Sequence, residues 1–468
     1  MSILLKYFYF LGAIVMSQTV LYAQQIAEGK IESFITNPHS TDRLELVMPS
    51  SQARPLKANI SIDPTQVFQS IEGFGFAITG GTARHLRSME QEARSALLQE
   101  LFGQEGTAIG LSYIRVSIGA SDLDPQPFSY NDLPDGQSDP QQTLFSLEPD
   151  TEFLMPVLKE ILSVNPAVKI MASPWSPPTW MKTNGNTKGG NLKKEYYRSY
   201  GLYFAKYIKA MQAHGIEIAS VTPQNEPLHP GNNPSLHMSA SEQAAFIKEG
   251  LGPVFEEQEI DTKIIVYDHN LDRPDYPIEI LNDSIARKYI AGSAFHLYGG
   301  RIDNLNEIRT AHPDKDLYFT EQWYSAQGQF GGDFQWHLRE VLIGGIDNGC
   351  KAIIEWNLSS APDLQPHTDG GCDACLGAIT IDENNVIRNA GYYMMAHASR
   401  WVPAGSVRIA STPTEGLPNV AFKTPKGNTV LLVLNDSDVT TEFTFSVDQE
   451  IYKSSLAPGG AATIVFKP

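Results

Sequence analysis

Two glutamates stand in matching contexts. Glu226, in Asn225-Glu226-Pro227, and Glu321, in Thr320-Glu321-Gln322-Trp323, each follow a short apolar run of the kind that forms a buried strand. A pair of carboxyls at one mouth is what acetal cleavage needs. A protonated one donates to the leaving oxygen while an ionised one attacks the anomeric carbon, and in retaining enzymes the two stand only about 5–5.5 Å apart. Arg115 could hold the attacking group ionised through a charge-assisted hydrogen bond. Trp175, Trp323 and Trp356 offer flat apolar faces for sugar C–H groups, and His296, Tyr298, Asn225 and Asn357 offer polar atoms for hydroxyls. Taken singly, each has an ordinary explanation: a solvated glutamate, a hydrogen-bonded core histidine, a tryptophan capping a barrel. Glu355, beside Trp356, is a third carboxyl that a structural Arg or Lys partner would explain. Their recurrence at strand ends is what packing alone does not account for.

Those strand ends define the framework. Eight apolar runs, 71–77, 113–117, 169–172, 219–222, 263–267, 293–297, 317–320 and 352–356, alternate with amphipathic stretches at 91–102, 151–164, 194–214, 241–258, 277–289 and 334–348. Eight strands separated by helices predict a closed (β/α)8 barrel, whose reactive groups gather at the C-terminal ends of its strands. A doubly wound sheet is the alternative, but Gly73-Phe74-Gly75-Phe76-Ala77-Ile78 lacks the third glycine of a dinucleotide-binding turn. Short runs at 43–49 and 58–62, and six more between 407 and 466 punctuated by turn residues, predict a β-sandwich built from the C-terminal strands and joined by N-terminal ones. The expected division is 24–65 for the joining strands, 66–400 for the barrel and 401–468 for the sandwich.

Residues 1–23 read as a secretory signal: Lys6, an apolar run over 7–16, and Ala23 at the cut, with no cysteine nearby for a lipid anchor. A secreted or periplasmic chain with no stable membrane anchor is expected, since no stretch is apolar for long enough to span a bilayer. The 468 residues carry a formal charge of −18 with 42% hydrophobic and 10% aromatic side chains. That composition excludes disorder, and the acidic balance argues against nucleic acid or an anionic membrane as partner. A carbohydrate partner and a monomeric chain fit it. Cys372 and Cys375, with His367 and Asp369 nearby, lack the second ligand pair that zinc wants, so a local disulfide with Cys350 buried and free is the favoured reading, and neither metal nor cofactor is expected. No Gly-x-Ser-x-Gly elbow supports a serine hydrolase. A non-catalytic carbohydrate-binding protein on the same fold is the competing class, but it would not need both carboxyls.

The sequence resembles glycoside hydrolase family 30, the relatives of glucosylceramidase. The resemblance rests on Glu72-Gly73-Phe74-Gly75, Tyr113-Ile114-Arg115-Val116, the long segment Ala172-Ser173-Pro174-Trp175-Ser176-Pro177-Pro178-Thr179-Trp180-Met181-Lys182-Thr183-Asn184-Gly185, Thr222-Pro223-Gln224-Asn225-Glu226-Pro227, His296-Leu297-Tyr298, Thr320-Glu321 and Trp356-Asn357-Leu358. It covers essentially the whole mature chain and implies a barrel with a side β-sandwich. It implies Glu226 as acid/base and Glu321 as nucleophile, Asn225 on the sugar 2-hydroxyl, Trp175 and Trp356 lining the sugar subsite, and Asp122 as a matching site position. One departure is that Thr79 is followed by Gly80 where glucosylceramidases carry an Asp, which implies a roomier or differently contacted subsite. The family holds both β-1,6-glucanases and glucosylceramidases. A secreted chain meets β-glucans more readily than sphingolipids, so β-1,6-glucan or a related β-glucoside is the expected substrate, with glucosylceramide, xylan or galactan as alternatives.

Overall fold

The computed structural model describes residues 31–41, 43–51, 59–447 and 450–468. The expected signal segment lies outside them. Among the described residues no helix is long and apolar enough to cross a membrane. The chain forms two compact units, one running Gln69–Gly405, the other combining residues up to Phe68 with Ser406–Pro468.

The larger unit is a closed eight-stranded parallel barrel. Its strands are β1 Gly73–Ala77, β2 Tyr113–Ser117, β3 Lys169–Ser173, β4 Ser220–Val221, β5 Lys263–Asn270, β6 Ile290–His296, β7 Asp316–Glu321 and β8 Cys350–Asn357, paired in sequence order with β8 closing on β1. Helices cover the barrel outside and side chains fill it inside, so β1 and β2 are buried at every residue. Tyr113, Met171, Ile265, Ala294, Tyr318, Ala352 and Ile354 form the inner core. The glycines of β1 serve strand packing: a Cβ on Gly75 would lie 1.9 Å from the Tyr113 carbonyl oxygen of β2. That is a close approach of neighbouring backbones, which removes the last support for a dinucleotide turn.

Helix Gln91–Phe102 buries Leu97, Leu98, Leu101 and Phe102 at helical spacing. The stretch expected as one helix over 241–258 begins at Ala240 behind a capping box of Ser239 and Glu242. It is broken by a π turn at Ile247–Leu251, where a Cβ on Gly250 would come within 2.4 Å of the Tyr197 carbonyl oxygen on helix Tyr197–Ala213. Strand β5 runs three residues beyond the expected end at Tyr267 and carries Asp268, His269 and Asn270 to the barrel mouth.

The smaller unit is a two-layered β-sandwich. Its ten strands follow one hydrogen-bonded order, in which Ile31–Thr36 pairs antiparallel with Ala461–Phe466 and Ile60–Ser70 lies parallel to Thr441–Val447. Its core unites Ile31, Ile409, Leu431 and Ile464 with Ile60, Phe443, Phe445 and Tyr452. Strand Ile31–Thr36 was not among the expected runs. It alternates buried and half-exposed residues and finds its partner at the far end of the chain.

Candidate active site

The C-terminal ends of the barrel strands open into a cleft of about 400 Å³, within the usual size of a small-ligand site. Glu226, just beyond β4, and Glu321, the last residue of β7, both line it. An oxygen of each carboxylate and a nitrogen of His296 all lie within 4.8 Å of one another. That spacing fits the retaining arrangement and is short of the roughly 6.5–9.5 Å that inversion requires.

The two carboxylates are held differently. Glu321 Oε2 accepts from Arg115 Nη1 at 2.6 Å, and Oε1 accepts from the Tyr298 hydroxyl at 3.0 Å. Two strong donors favour the charged form. Burial and the Glu226 charge work the other way, and together they lift the Glu321 carboxyl above the ordinary glutamate value despite His296 and Arg115. Tyr298 is itself pushed far up by burial and by the Glu321 charge, so its phenol keeps its proton and remains a donor.

Glu226 has a left-handed backbone (φ 45°), secured by its N–H on the Asp268 carbonyl at 3.0 Å. Its Oε1 lies 3.2 Å from His296 Nδ1 and 3.8 Å from His269 Nε2. Burial alone would raise this carboxyl, but the hydrogen bond and charge of His296 hold it below the ordinary value.

His296, fully buried at the end of β6, connects the two carboxylates. Besides Glu226 it approaches Glu321 Oε1 at 3.7 Å, and its Nε2 meets Asp268 Oδ1 at 3.1 Å. Burial opposes its ionisation, but the Glu321 charge and the bonds to Asp268 and Glu226 outweigh this and lift the imidazole to about 9. These shifts favour a protonated His296 facing an ionised Glu226 across the 3.2 Å contact.

Asp268 organises the buried layer beneath. Its Oδ2 accepts from Arg115 Nη2, Ser173 and Thr222 at 2.6–2.8 Å, and its Oδ1 accepts from Thr320 at 2.7 Å as well as meeting His296. With so many donors, chiefly Arg115 and His296 against the effect of burial, it stays charged well below ordinary aspartate values. Tyr267 and Asp268 both have left-handed backbones (φ 76° and 65°), a strain that turns the end of β5 into the mouth. Sequence reasoning missed Asp268, His269 and Asn270 because it closed this strand at Tyr267. The rule that selected the other strand ends would have selected them.

The expected residues divide into two groups. Asp122, Trp175, Tyr298, Trp323 and Trp356 line the cleft with the two glutamates. Arg115 and His296 lie behind it, each fully buried, so they position the carboxylates and do not meet a sugar. The expected bond from His296 to a hydroxyl gives way to those with Asp268 and Glu226. Asn357 is likewise removed from the lining: its Nδ2 bonds the carbonyls of Ser359 and Cys375. Asn225 is buried with its Oδ1 on Arg115 Nη2 at 2.7 Å, which fixes the amide so that its NH2 is the end left to donate outward. Trp175 and Trp356 pack with ring centroids 5.3 Å apart, and the Arg115 guanidinium carbon lies 5.0 Å from the Trp175 centroid. Glu355 is fully buried on His337 Nδ1 at 2.6 Å, a structural pair with a histidine and not with Arg or Lys.

Asp122 accepts the Cys372 N–H at 3.2 Å, and burial with the Glu321 charge pushes its carboxyl up to about 7. Cys372 and Cys375 form a disulfide on the cleft wall, which consumes the thiols a metal would have needed, and Cys350 is free and buried. Glu226, His296 and Glu321 form the one grouping of metal-ligand type among the described residues, but Arg115 and Tyr298 already hold the oxygens of Glu321. The space beside Gly80 is filled: a Cβ there would lie 1.6 Å from Asp124 Oδ1, so the buried Asp124 carboxyl stands where a side chain on residue 80 would go.

The model of the glycosyl hydrolase family 30 TIM-barrel domain matches residues 71–400, and that of the family 30 beta sandwich domain matches 405–464. The chain belongs to glycoside hydrolase family 30. Within the family, it is 31% identical over 423 residues to the endo-1,6-beta-D-glucanase BGN16.3 of Trichoderma harzianum, covering 85% of this chain and 84% of that protein. It is 28% identical to the lysosomal acid glucosylceramidase of Mus musculus, covering 89% and 85% respectively. The solved structure of the endo-beta1,6-glucanase BT3312 superposes with a TM-score of 0.87 at 34% identity, covering 94% of this chain and all of that one. As a family 30 member the chain is a glycoside hydrolase, and the pure carbohydrate-binding alternative falls away.

Proposed function

We propose that this family 30 enzyme cleaves β-1,6-glucan by double displacement, with Glu321 as nucleophile and Glu226 as acid/base. The observation that carries the assignment is the pair of carboxylate oxygens within 4.8 Å at one cleft, only one of them bonded to a guanidinium. Arg115 and Tyr298 present Glu321 as a charged nucleophile. Glu226 receives its proton from His296.

The cluster supplies a reason for the timing. Glu321 is the largest source of positive pull on the His296 pKa. As Glu321 bonds to the anomeric carbon its negative charge disappears, His296 loses that support, and its proton moves toward Glu226 and the departing oxygen. In the second half-reaction Glu226 takes a proton from water, which attacks the glycosyl ester and returns Glu321 to its charged form.

The substrate assignment draws on relatives named endo-1,6-beta-D-glucanase at 31–33% identity over at least four-fifths of both chains. The glucosylceramidases are more distant, at 25–28%. The cleft lining includes three carboxyls and no Lys or Arg, which favours a neutral glycan over an acidic one. Residues 1–23 are proposed to direct the enzyme out of the cytoplasm, where such a polymer is met. The test is chromatography of products from β-1,6-glucan, β-1,3-glucan, xylan and glucosylceramide, with NMR of the first anomer released. Oligosaccharides from β-1,6-glucan with a β-configured new end are expected. No release from that polymer would overturn the substrate, and an α end would overturn the double displacement.

A further inference from the structure

His269 is a buried polar residue of the site with one ring nitrogen unpartnered. It is buried to 6% exposure yet lines the cleft. Its Nδ1 is enclosed with no hydrogen-bond partner, and its Nε2 reaches Glu226 Oε1 only at 3.8 Å, beyond hydrogen-bond distance. With Nδ1 enclosed, Nε2 is the ring atom left to meet a group entering the cleft, and its nearest carboxylate stands too far away to satisfy it. Two rings hold it in place, Tyr267 at 5.9 Å and His296 at 6.2 Å between centroids.

We propose that His269 recognises a hydroxyl of the departing sugar, making it a specificity-determining residue for a carbohydrate leaving group. This rests on the reading of Glu226 as the acid. A general acid stands beside the oxygen that leaves, so a group next to Glu226 meets the sugar attached to that oxygen. His296 contacts both carboxylates, whereas the close contact of His269 is with Glu226. The state of the ring agrees. Burial, with the neighbouring His296 charge, lowers the imidazole to about 4 against the pull of Glu226. A neutral ring offers Nε2 to a hydroxyl, as donor or acceptor according to its tautomer, and places no charge against a neutral sugar. His229 and Asn232, from the loop after Glu226, line the same cleft and offer further polar atoms.

The discriminating experiment compares two leaving groups in the same variants. The variants His269→Gln and His269→Leu are measured on β-1,6-linked gluco-oligosaccharides and on an aryl β-glucoside, whose leaving group has no hydroxyl to recognise. We expect the ratio of kcat/KM for oligosaccharide over aryl glucoside to fall about tenfold in the Leu variant, the scale of one lost hydrogen bond, and to be partly restored by Gln. The alkaline limb of the pH profile stays with the wild type. An unchanged ratio, or a shifted alkaline limb with both substrates falling together, would overturn the proposal and make His269 a modulator of Glu226 or a packing residue. Circular dichroism and thermal melting of both variants confirm that the folded enzyme is being read. Failure of the underlying reading shows separately, as a wild type that releases nothing from either substrate.

Discussion

Glu321 and Glu226 are the same residue in the same cleft, yet the chain treats them differently. Glu321 ends a regular strand and receives two donors that keep its charge and aim its oxygens. Glu226 follows a strand of two residues, has a left-handed backbone, and faces a protonated histidine. A nucleophile has to be charged and aimed before substrate arrives, so rigid pairing suits it. An acid/base has to carry a proton, release it and recover it, so a partner that shares a proton suits it better than one that removes it. The asymmetry of the proposed roles lies in the neighbours.

The comparison breaks most visibly when each carboxylate is removed. Glu321→Gln keeps the shape and loses the attacking charge, and should lower kcat by on the order of 10⁴-fold or more on every β-glucoside. Glu226→Ala should lower it far less on an aryl glucoside with an acidic leaving group, which departs unaided, than on a sugar leaving group. Azide sharpens the contrast. In Glu226→Ala it should intercept the glycosyl ester and give a β-glucosyl azide, while in Glu321→Ala it should attack the substrate directly and give the α product. Identical azide anomers from the two variants would mean that the roles are not divided as described.

Much of this site was legible in the sequence, for a physical reason. Strands of a parallel barrel are buried on both faces and read as continuous apolar runs, so the polar residues just after each run mark the mouth. That logic leads to Glu226, Glu321 and Tyr298. The same logic covers Asp268-His269-Asn270, which directly follow the run 263–267 but read as loop; the left-handed turn at Tyr267 and Asp268 brings those residues to the site. The partner of a side chain is less legible than its position. Arg115, His296 and Asn357 sit near the strand ends where they were sought, but whether a polar group faces sugar, carboxylate or a loop carbonyl depends on a rotamer and on its neighbours in space. Strand Ile31–Thr36 was missed for a related reason, since its stability comes from Ala461–Phe466 and not from its own pattern.

Asp268 separates positioning from proton sharing. It supports Arg115, hence the proposed nucleophile, and His296, hence the proposed acid. Asp268→Asn removes a buried charge from beneath two cations and should cost about 3–5 kcal/mol of stability, seen as a lowered denaturation midpoint. In the protein that remains folded, kcat should fall roughly 10²-fold. The informative readout is the pH profile. In the wild type the proton of the Glu226 and His296 pair is expected to be retained until pH approaches about 9, where burial is outweighed by the Glu321 and Asp268 charges on His296. Without the Asp268 charge the imidazole loses part of what raises it, so the proton leaves earlier and the alkaline limb moves to lower pH. A limb that stays in place would show that His296 does not set it.

Tyr298→Phe makes the smallest change and tests the nucleophile alone. The phenol donates to Glu321 Oε1 and stabilises the ionised carboxylate, while Arg115 continues to hold Oε2. Removing the hydroxyl should cost about tenfold in kcat, the scale of one hydrogen bond to a charged group. The sign of the pH effect follows from the same contact. A donor to a carboxylate lowers its pKa, so losing it raises the pKa of Glu321, and the acidic limb should move to higher pH. The alkaline limb belongs to the Glu226 and His296 pair, which the phenol does not bond, and should hold its place. Movement of both limbs by equal amounts would mean that the two carboxylates titrate as one unit, and the division of labour between them would then rest on position in the cleft and not on separate protonation.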